Sequence, residues 1–595
     1  MDQGGDRLEA LRAALREAGV DGFLLARTDM YGSEYLPAAE ERVAWLTGFT
    51  GSAARVVVLP STAALFTDGR YTLQAQDEVD TARYETPHLV HEPPATWLRA
   101  HAPEGLRLGY DPFLHLAAEL EGIEKALAVR GGALVPLTPN PIDRLWHDRP
   151  APPAAPMVNH PLAHAGESSA DKRRRMLEAV RDAVADGLFV SAADGVAWLL
   201  NIRGGDIPFN PLCLGLGLLL PDERAVLLTD PAKKPAHFAF EDSQIALHPL
   251  AERHVFYAEL AREGSRILVD PAVTHAGLKE ELLNAGVCVV EGKEPVTGAK
   301  AKKNNAEVAG ARRAHVVDGA AVSRFLARLD HGGCADELAA AAALEAERAK
   351  AGDYLGPSFD TISGAGPNGA IVHYRVSEAT NRRLEPGTLY LVDSGAQYPD
   401  ATTDITRTVA IGEPAAEMRR RFTLVLKGHI ALAEAVFPEG TAGSQLDALA
   451  RRHLWAAGLD YDHGTGHGVG SRLCVHEGPQ RIAKRGGDVK LEPGMILSNE
   501  PGNYPAGAYG IRIENLMLVV EKGMPEGGDL ALLGFELLTL APIDRRLVDR
   551  ALMTAAELAW LDAYHARVRA RLAPELAGDD RAWLEAATAP LGAAA

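Results

Sequence analysis

LYLVDSGAQYPDATTDITRTV, residues 389–409, contains two apolar, strand-like runs, each of which adjoins an aspartate. The first run ends at Asp393, and the second begins directly after Asp404. The segment between them contains glycine and proline, which are typical of turns. A hairpin of two antiparallel strands would bring the two carboxylates together, and we therefore expect this segment to hold two acids at one site.

Three later segments place more residues of the same chemistry at strand ends or in glycine-rich turns. Glu500 ends an apolar strand, and strand alternation puts Arg512 and Glu514 on one face. Two histidines stand among four glycines, which allow a close approach of the backbone or a positive φ. The three segments are HGTGHGVG at 463–470, SNEPG at 498–502 and GIRIEN at 510–515.

Each of these residues alone is weak evidence, because an acid at a strand end is usually a turn or cap residue and a lone histidine usually a hydrogen-bonding one. As a set, four acids and one histidine are too many for one metal ion with open positions. They suit two divalent ions that share bridging carboxylates. The candidate ligands are Asp393, Asp404, His467, Glu500 and Glu514.

Composition excludes several classes of protein. The 595 residues include 61 Lys plus Arg and 80 Asp plus Glu, so the formal charge is 61 − 80 = −19. A chain this acidic is a poor candidate for nucleic-acid or anionic-membrane binding. The four cysteines are far apart and form no CxxC pair, which argues against a disulfide scaffold or a cysteine zinc site. The polar N-terminus lacks a signal-peptide pattern, and the longest apolar stretch is too short for a membrane helix, so we expect a cytoplasmic protein.

The region before residue 304 alternates helices with short apolar runs, which predicts α/β structure. Val43-Ala44-Trp45-Leu46 is echoed by Val196-Ala197-Trp198-Leu199, and two further echoes follow in the same order, which favours a duplicated domain over coincidence. A proline-rich segment, 136–161, reads as an extended linker between the copies. The lysine-containing stretch 295–305 reads as a second, solvated linker.

The segments around the five candidate ligands resemble the dinuclear metallopeptidases of the pita-bread fold, which include methionine aminopeptidase, prolidase and aminopeptidase P. The flanking patterns VDSG, TDITRT, HGTGHGVG, NEPG and GIRIEN carry that resemblance. LTGFTGS at 46–52, FTDGRY at 66–71 and the tail around 558–565 are similar to the long, three-domain, cytosolic type of aminopeptidase P.

The resemblance implies an α/β (α+β) fold in which two creatinase-like α/β domains precede a pita-bread catalytic domain with a C-terminal helical tail. We expect the domains at residues 1–150, 151–303 and 304–595. Thr554 and Glu557 form the pattern of a capping box, which predicts the start of a helix in that tail.

The resemblance also assigns roles to individual residues. Asp393 would bind one metal ion, Asp404 and Glu514 would bridge both, and His467 and Glu500 would complete the other. Glu500 would move the proton, and Arg512 would orient a metal-binding carboxylate. The remaining catalytic or substrate-binding candidates are His373, His476, His463, Arg70 and Tyr504, with His467 also facing substrate. From the residues alone, Arg70 is also readable as a solvated hairpin residue and His463 as a hydrogen bond within its turn.

The function implied is removal of the first residue from peptides with proline in the second position, through a hydroxide that bridges two metal ions. The resemblance implies Mn(II), with Co(II) or Zn(II) as alternatives, and a homodimer. Two other functions stay open: a prolidase limited to Xaa-Pro dipeptides, and a peptide-binding module without catalysis. The ligand set does not distinguish an Xaa-Pro aminopeptidase from a prolidase, whereas the length of the chain favours the aminopeptidase.

Overall fold

The structure, a computed structural model, describes residues 3–592 and divides them between two units. Of the described residues, the N-terminal unit comprises 3–162 and 167–296, and the C-terminal unit comprises 163–166 and 297–592. Among residues 3–592, no helix combines the length and the apolar character that crossing a bilayer requires. The three domain boundaries expected from the sequence stay a prediction.

The N-terminal unit begins with a five-stranded α/β sheet of order β3-β2-β1-β4-β5. Its strands are β1 (Gly22–Ala26), β2 (Arg55–Val58), β3 (Ala63–Phe66), β4 (Arg107–Tyr110) and β5 (Ala133–Pro136). Its helices are α1 (Gln3–Glu17), α2 (Arg42–Thr47), α3 (Thr72–Glu78), α4 (Pro94–His101), α5 (Ala117–Ala128) and α6 (Pro141–Leu145). All five residues of β1 are buried, as expected for a central strand that is covered on both faces.

A six-stranded sheet follows, of order β11-β10-β9-β7-β12-β13. Its strands are β7 (Gly187–Val190), β9 (Leu216–Leu219), β10 (Ala225–Thr229), β11 (Ile245–Pro249), β12 (Arg266–Val269) and β13 (Cys288–Glu291), and β6 (Val158–Asn159) pairs separately with β8 (Ile202–Arg203). The helices are α7 (Leu162–Ala165), α8 (Ser169–Asp182), α9 (Ala193–Leu199), α10 (Arg253–Glu263), α11 (Ala276–Asn284) and α12 (Pro295–Ala301).

The two sheets repeat one topology. In each, a central strand pairs antiparallel with the next strand of a meander on one side and parallel with a later strand on the other. The echoed tetrapeptides lie in α2 and α9, at equivalent places after β1 and β7. Strand β11 is an addition at the edge of the second sheet. This arrangement agrees with the predicted duplication.

The C-terminal unit contains small antiparallel sheets flanked by long helices. Its helices are α13 (Asn305–Asp330), α14 (Glu337–Ala349), α15 (Ala416–Ala433), α16 (Asp447–Trp455), α17 (Ala555–Leu572) and α18 (Gly578–Ala587). Its strands are β14 (Gly356–Pro357), β15 (Ile362–Ala365), β16 (Thr388–Ser394), β17 (Ala396–Tyr398), β18 (Ala401–Thr402), β19 (Ile405–Ile411), β20 (Phe437–Pro438), β21 (Gly466–Gly468), β22 (Glu477–Ile482), β23 (Ile496–Asn499), β24 (Gly502–Asn503), β25 (Ile511–Arg512), β26 (Asn515–Gly523) and β27 (Leu532–Leu537).

Two of these sheets carry the candidate site. One has the order β15-β16-β19, and the other has the order β20-β27-β26-β23-β21-β22. Helices α15 and α17 pack into one buried cluster with Ile511 and Ile513, which lie beside the candidate ligand Glu514. Helix α17 begins at the capping box of Thr554 and Glu557, as predicted. The apolar core therefore lies directly behind the residues of the site.

Two predictions about linkers need correction. The proline-rich segment contains regular structure, because Pro136 ends β5 and Asn140 caps α6, in which Pro141 occupies the first turn. The stretch 295–305 is only partly solvated. Helix α12 occupies most of it, and Lys300 and Lys303 are buried, at 2% and 6% exposure.

A buried ion pair joins α13 to α14 in the C-terminal unit. The guanidinium of Arg348 donates to both oxygens of Asp318, at 2.8 and 3.2 Å, and to the carbonyl of Gly395. Arg348 is 1% exposed, so its removal would leave the Asp318 carboxylate buried without its cation. An uncompensated buried charge is among the costliest changes a core can suffer.

We therefore expect Arg348→Met to lower the free energy of unfolding of this unit by about 3 kcal/mol or more. The matched control is Arg312→Met, which removes an exposed pair with Glu536 and is expected to change it by less than about 1 kcal/mol. Unfolding in urea is monitored by hydrogen exchange in peptides from 305–349, so that the measurement reports on this unit alone. Equal effects of the two variants would contradict the prediction.

Candidate metal centre

The predicted hairpin forms, and it brings the two aspartates to one end of a sheet. Strands β16 and β19 pair antiparallel, with Asp393 opposite Thr406. Asp404 directly precedes β19, so its carboxylate lies next to that of Asp393. The turn between them is itself a small hairpin of β17 and β18.

The other three candidate ligands come from the larger sheet. Asn499 of β23 pairs with Asn515 of β26, so that Glu500 follows one strand and Glu514 precedes the other at the same end of the pair. His467 lies in β21, which pairs with β23 through Gly468 and Leu497. The order of β26, β23 and β21 therefore places the imidazole of His467 and the carboxylates of Glu500 and Glu514 at neighbouring strand ends.

Three glycines of HGTGHGVG, at 466, 468 and 470, serve close packing and not an unusual backbone conformation. None of the four, at 464, 466, 468 and 470, has a φ in the left-handed region. A Cβ on Gly466 would clash with the carbonyl oxygen of Ser498 on the neighbouring strand. Glycine is therefore required there so that β21 can approach β23 with His467 at the site.

The side chains converge. Single ligand atoms of Asp404, His467 and Glu514 all lie within 4.8 Å of one another. Nε2 of His467 is 3.4 Å from Oδ2 of Asp404 and 3.5 Å from Oε1 of Glu500. Asp393 belongs to the same cluster, because its charge acts on both Asp404 and Glu514.

The acids repel one another strongly. Burial and then the nearby charges of Asp393 and Glu500 raise the pKa of Asp404 to about 6, although a hydrogen bond to His467 opposes the shift. Burial, followed by the charges of Asp404, Glu500 and Asp393, raises the pKa of Glu514 well above its usual value. Burial lowers the pKa of His467, but its bond to Asp404 and the charges of Glu500 and Asp404 outweigh this and raise it to about 9. The cluster therefore favours cations.

The residues present fit two divalent ions. Oδ1 of Asp393 and Oε1 of Glu514 are buried and accept no hydrogen bond from any residue that the structure describes. Buried carboxylate oxygens without a donor are costly unless a cation fills the space. Nδ1 of His467 donates to the carbonyl of Gly468 at 2.9 Å, which leaves Nε2 as the nitrogen that faces the acids. Four carboxylates and one imidazole form the oxygen-rich donor set of a dinuclear site.

Arg512 contacts Asp393 directly, and its role in orienting a metal-binding carboxylate stays a prediction. Its guanidinium donates to Oδ2 of Asp393 at 2.6 Å and to the hydroxyl of Tyr504 at 2.8 Å. The Tyr504 hydroxyl in turn lies 2.8 Å from Nε2 of His463, whose Nδ1 donates to the carbonyl of Gly464. Tyr504 and His463 are thus joined to Asp393 through one arginine.

The remaining candidates fall into two groups. The rings of His373 and His476 are stacked with centroids 6.4 Å apart, and His476 lies 4.4 Å from His467, so the histidines border the acids. Arg70 lies in the N-terminal unit, where its guanidinium bonds to Asp68 and approaches Glu34. The proposed contact of Arg70 with substrate stays a prediction.

Several supporting residues were missed by the sequence analysis. The hydroxyl of Thr406 accepts from Nε of Arg512 and donates to Oε2 of Glu514 at 2.7 Å, and the alternation of β19 could have placed it on the face of Asp404. Ser498 accepts from the backbone N–H of His467 and donates to Glu500.

The loop of His476 has a supporting ion pair that no local pattern announces. Lys300 contacts Glu477, the residue after His476, and both side chains are almost fully buried. The carboxylate of Glu477 also accepts from the N–H of Cys474. No signal in the sequence joins residues that are this far apart along the chain.

We expect Thr406→Val to weaken metal binding by about 10- to 100-fold, because it removes the hydroxyl that holds Glu514 and Arg512 together. The matched control is Thr408→Val on the same strand, whose hydroxyl bonds to main-chain atoms of Arg512 and to no ligand. Competition with a fluorescent chelator measures the affinity. An equal loss in both variants would show that Thr406 has no special part.

Metal binding is expected to release protons at neutral pH. With a pKa of about 9, His467 carries a proton at pH 7.5, and a metal ion takes only the neutral imidazole. Affinity should therefore rise with pH until pH passes about 9, with at least one proton released per chain loaded. Titration calorimetry in buffers of different ionisation enthalpy measures this number, and a value of zero at pH 7.5 would contradict the prediction.

Comparison with known protein families gives matches along most of the chain. The model of "Metallopeptidase family M24" matches residues 309–521, and that of the "C-terminal region of peptidase_M24" matches residues 531–591. Two models of the "Creatinase/Prolidase N-terminal domain" match residues 7–145 and 148–307. These matches confirm the predicted fold class of creatinase-like domains followed by a metallopeptidase domain.

Individual relatives are similar over the whole length. A "Probable Xaa-Pro aminopeptidase P" of Fusarium vanettenii is 40% identical over 98% of this chain and 98% of that protein. "Aminopeptidase P2" of Arabidopsis thaliana is 38% identical over 98% of this chain and 88% of that protein.

A solved structure, an X-prolyl aminopeptidase of Caenorhabditis elegans described as a cytosolic enzyme with a di-nuclear active site, is 35% identical. It covers 99% of this chain and 100% of its own, with a TM-score of 0.93. The family match and the relatives that are similar over the whole length show that the chain belongs to metallopeptidase family M24.

Proposed function

We propose that this chain is a two-metal Xaa-Pro aminopeptidase that hydrolyses the bond between the first residue of a peptide and a proline in the second position. The observation that carries the proposal is the convergence of Asp404, His467 and Glu514 within 4.8 Å, with Asp393 and Glu500 beside them. Relatives that are similar over nearly the full length bear the same activity in their names. Asp393, Asp404, His467, Glu500 and Glu514 would hold the ions.

The chemistry that two bound divalent ions supply is a water of lowered pKa and a polarised carbonyl. Glu500 is the residue we assign to proton transfer, because its Oε1 accepts from Ser498 and its side chain, at 17% exposure, is more exposed than those of Asp393 and Asp404. It accepts a proton from the attacking water and returns it to the leaving nitrogen. That return is needed because an amide nitrogen has to be protonated in order to leave as an amine, and the nitrogen of an Xaa-Pro amide carries no hydrogen before cleavage.

The histidines supply donors beside the acids. His476 stands close to His467, and His373 lies beside His476, where an N–H can donate to the oxygen that gains charge in the transition state. His463 and Tyr504 lie on the Arg512 side, and we assign them to the wall of the substrate pocket. We also propose that aromatic and imidazole side chains of this pocket surround the proline ring of the substrate.

Finer features extend the proposal. We infer Mn(II) as the working metal, because oxygen-rich sites suit it, with Co(II) or Zn(II) as substitutes. A homodimer in the cytoplasm, with Arg70 reaching a peptide, is inferred from the resemblance of the N-terminal segments. Domains at 1–150, 151–303 and 304–595 complete the proposal, and matches at 7–145 and 148–307 are consistent with its first two boundaries.

The test is cleavage of Arg-Pro-Pro, Gly-Pro and Leu-Ala-Ala, with and without EDTA and added Mn(II). We expect only Arg-Pro-Pro to be cut, with activity lost on chelation and restored by metal. Cleavage of Gly-Pro alone would replace the proposal with a prolidase. A metal-loaded chain that cuts none of the three would leave a peptide-binding module.

Glu500→Gln is expected to lower kcat by at least about 100-fold at saturating metal, because the amide can no longer carry the proton. Since Glu500 is also a ligand, the metal content of the variant is measured in the same sample. Retention of wild-type kcat would contradict the proton-transfer role.

A further inference from the structure

A buried carboxylate outside the candidate metal centre accepts hydrogen bonds from several parts of one loop of the site. Glu337 lies in the first turn of α14 and is fully buried. The segment 366–382, which we call the His373 loop, leaves β15 and returns past the start of this helix. Among described residues, the Glu337 carboxylate accepts from donors at the start, the middle and the end of that path.

The donors are specific and close. Oε1 of Glu337 accepts from the N–H of Ala365 at 2.7 Å and from the amide of Asn368 at 2.9 Å. Oε2 accepts from the same amide at 3.0 Å, from the hydroxyl of Tyr374 at 3.1 Å and from the N–H of Arg382 at 2.8 Å. The carboxylate therefore ties together residues that span the whole loop.

The backbone of α14 adds to this clasp. The N–H of Glu337 donates to the carbonyl of Arg382, and the N–H of Leu338 donates to the side chain of Asn381. The start of the loop is equally confined, because a Cβ on Gly510 would clash with the carbonyl of Gly369. Both stems of the loop are thus held against fixed parts of the unit.

His373 stands between two tethered neighbours. On one side, the carbonyl of Val372 accepts from Arg512, the residue that contacts Asp393. On the other side, the ring of Tyr374 packs with Ile362 and Leu391, and its hydroxyl reaches Glu337. Arg512 therefore holds the backbone on one side of this histidine, and Glu337 holds the side chain of its neighbour on the other.

We propose that Glu337 is a positioning residue that sets the place of His373 by anchoring the His373 loop. The proposal rests on the function proposed above, because the catalytic value of His373 comes from there. A misplacement of about 1 Å in a catalytic group is enough to cost about 100-fold in rate, so the anchor has a measurable consequence.

Both carboxylate oxygens of Glu337 have to accept a hydrogen bond if the loop is to stay anchored. A carboxylate only accepts hydrogen bonds, whereas the amide of glutamine carries two N–H donors. In one orientation of a glutamine amide, its NH₂ would face the N–H of Ala365, and in the other it would face the N–H of Arg382. No orientation satisfies both backbone donors, and an unsatisfied buried donor loosens the loop.

The first measurement is hydrogen exchange of the metal-loaded protein. We expect Glu337→Gln to speed exchange in residues 366–382 by at least about 10-fold, while peptides of β19 and β26 exchange as in the wild type. The matched control is Glu345→Gln on the same helix, whose carboxylate accepts from Tyr354, and it should leave the loop unchanged. Unchanged exchange in the loop of Glu337→Gln overturns the proposal.

The second measurement is a double-mutant cycle on kcat/KM for Arg-Pro-Pro. Glu337→Gln alone is expected to cost about 10- to 100-fold, but less than about 3-fold when His373 is already alanine, because the two residues act as one. A loss that persists undiminished in the His373→Ala background overturns the proposal, since it would mean a general structural effect.

A milder variant covers the case in which Glu337→Gln does not fold. Tyr374→Phe leaves the Glu337 carboxylate in place and removes the neighbouring hydroxyl, which contacts Glu337, Thr380 and Asn368 within the same loop anchor. The loss of activity in this variant should likewise vanish in the His373→Ala background. If the wild type cuts no Xaa-Pro peptide, the proposed function fails, and hydrogen exchange in the loop alone then decides whether Glu337 is its anchor.

Discussion

The repulsion among buried carboxylates is the constraint around which the C-terminal unit is organised. Burial and mutual proximity raise the pKa values of Asp404 and Glu514 in the cluster of Asp393, Asp404, Glu500 and Glu514, and Arg512 and the imidazole of His467 bring positive charge into it. Such a cluster is costly for a folded protein unless cations bind to it. The rest of the unit has to hold these carboxylates close together against their mutual repulsion when no cation is bound.

The strands supply the first part of this support, because a strand end fixes a side chain better than a flexible loop does. The second part is a set of buried charged groups behind the site. Arg407 donates to the carbonyl of Glu514 and to the side chain of Asn515, and so joins β19 to β26. Lys300 holds Glu477 beside His476, and Glu337 holds the loop of His373. Buried charges of this kind contribute little net stability, and we interpret them as devices for position.

The sequence predicts the parts of this account that rest on local patterns. Apolar runs that end in Asp393 or Glu500 predict strands with acids at their ends, and the resemblance joins them into one site. The duplication of the N-terminal sheets was visible in a repeated tetrapeptide. The capping box at Thr554 marked the start of α17 correctly. Each of these signals is contained within a few residues.

What the sequence could not predict depends on contacts between distant residues. Lys300 and Lys303 read as solvated because lysine rarely lies inside a protein, and their partner Glu477 is far away along the chain. Glu337 reads as an ordinary first-turn helix acid, since its donors belong to a loop that has no regular pattern of its own. Thr406 is one of several threonines in its strand, and only the fold shows which of them contacts Glu514.

The central claim is that this cluster of acids is a two-ion site. The most direct test is the number of Mn(II) ions bound per chain, measured by elemental analysis after equilibrium dialysis of metal-stripped protein. The account predicts two ions per chain for the wild type and fewer than two for Glu514→Gln, in which one of the two bridging carboxylates becomes an amide. One ion or none in the wild type, or two in the variant with unchanged affinity, would contradict it.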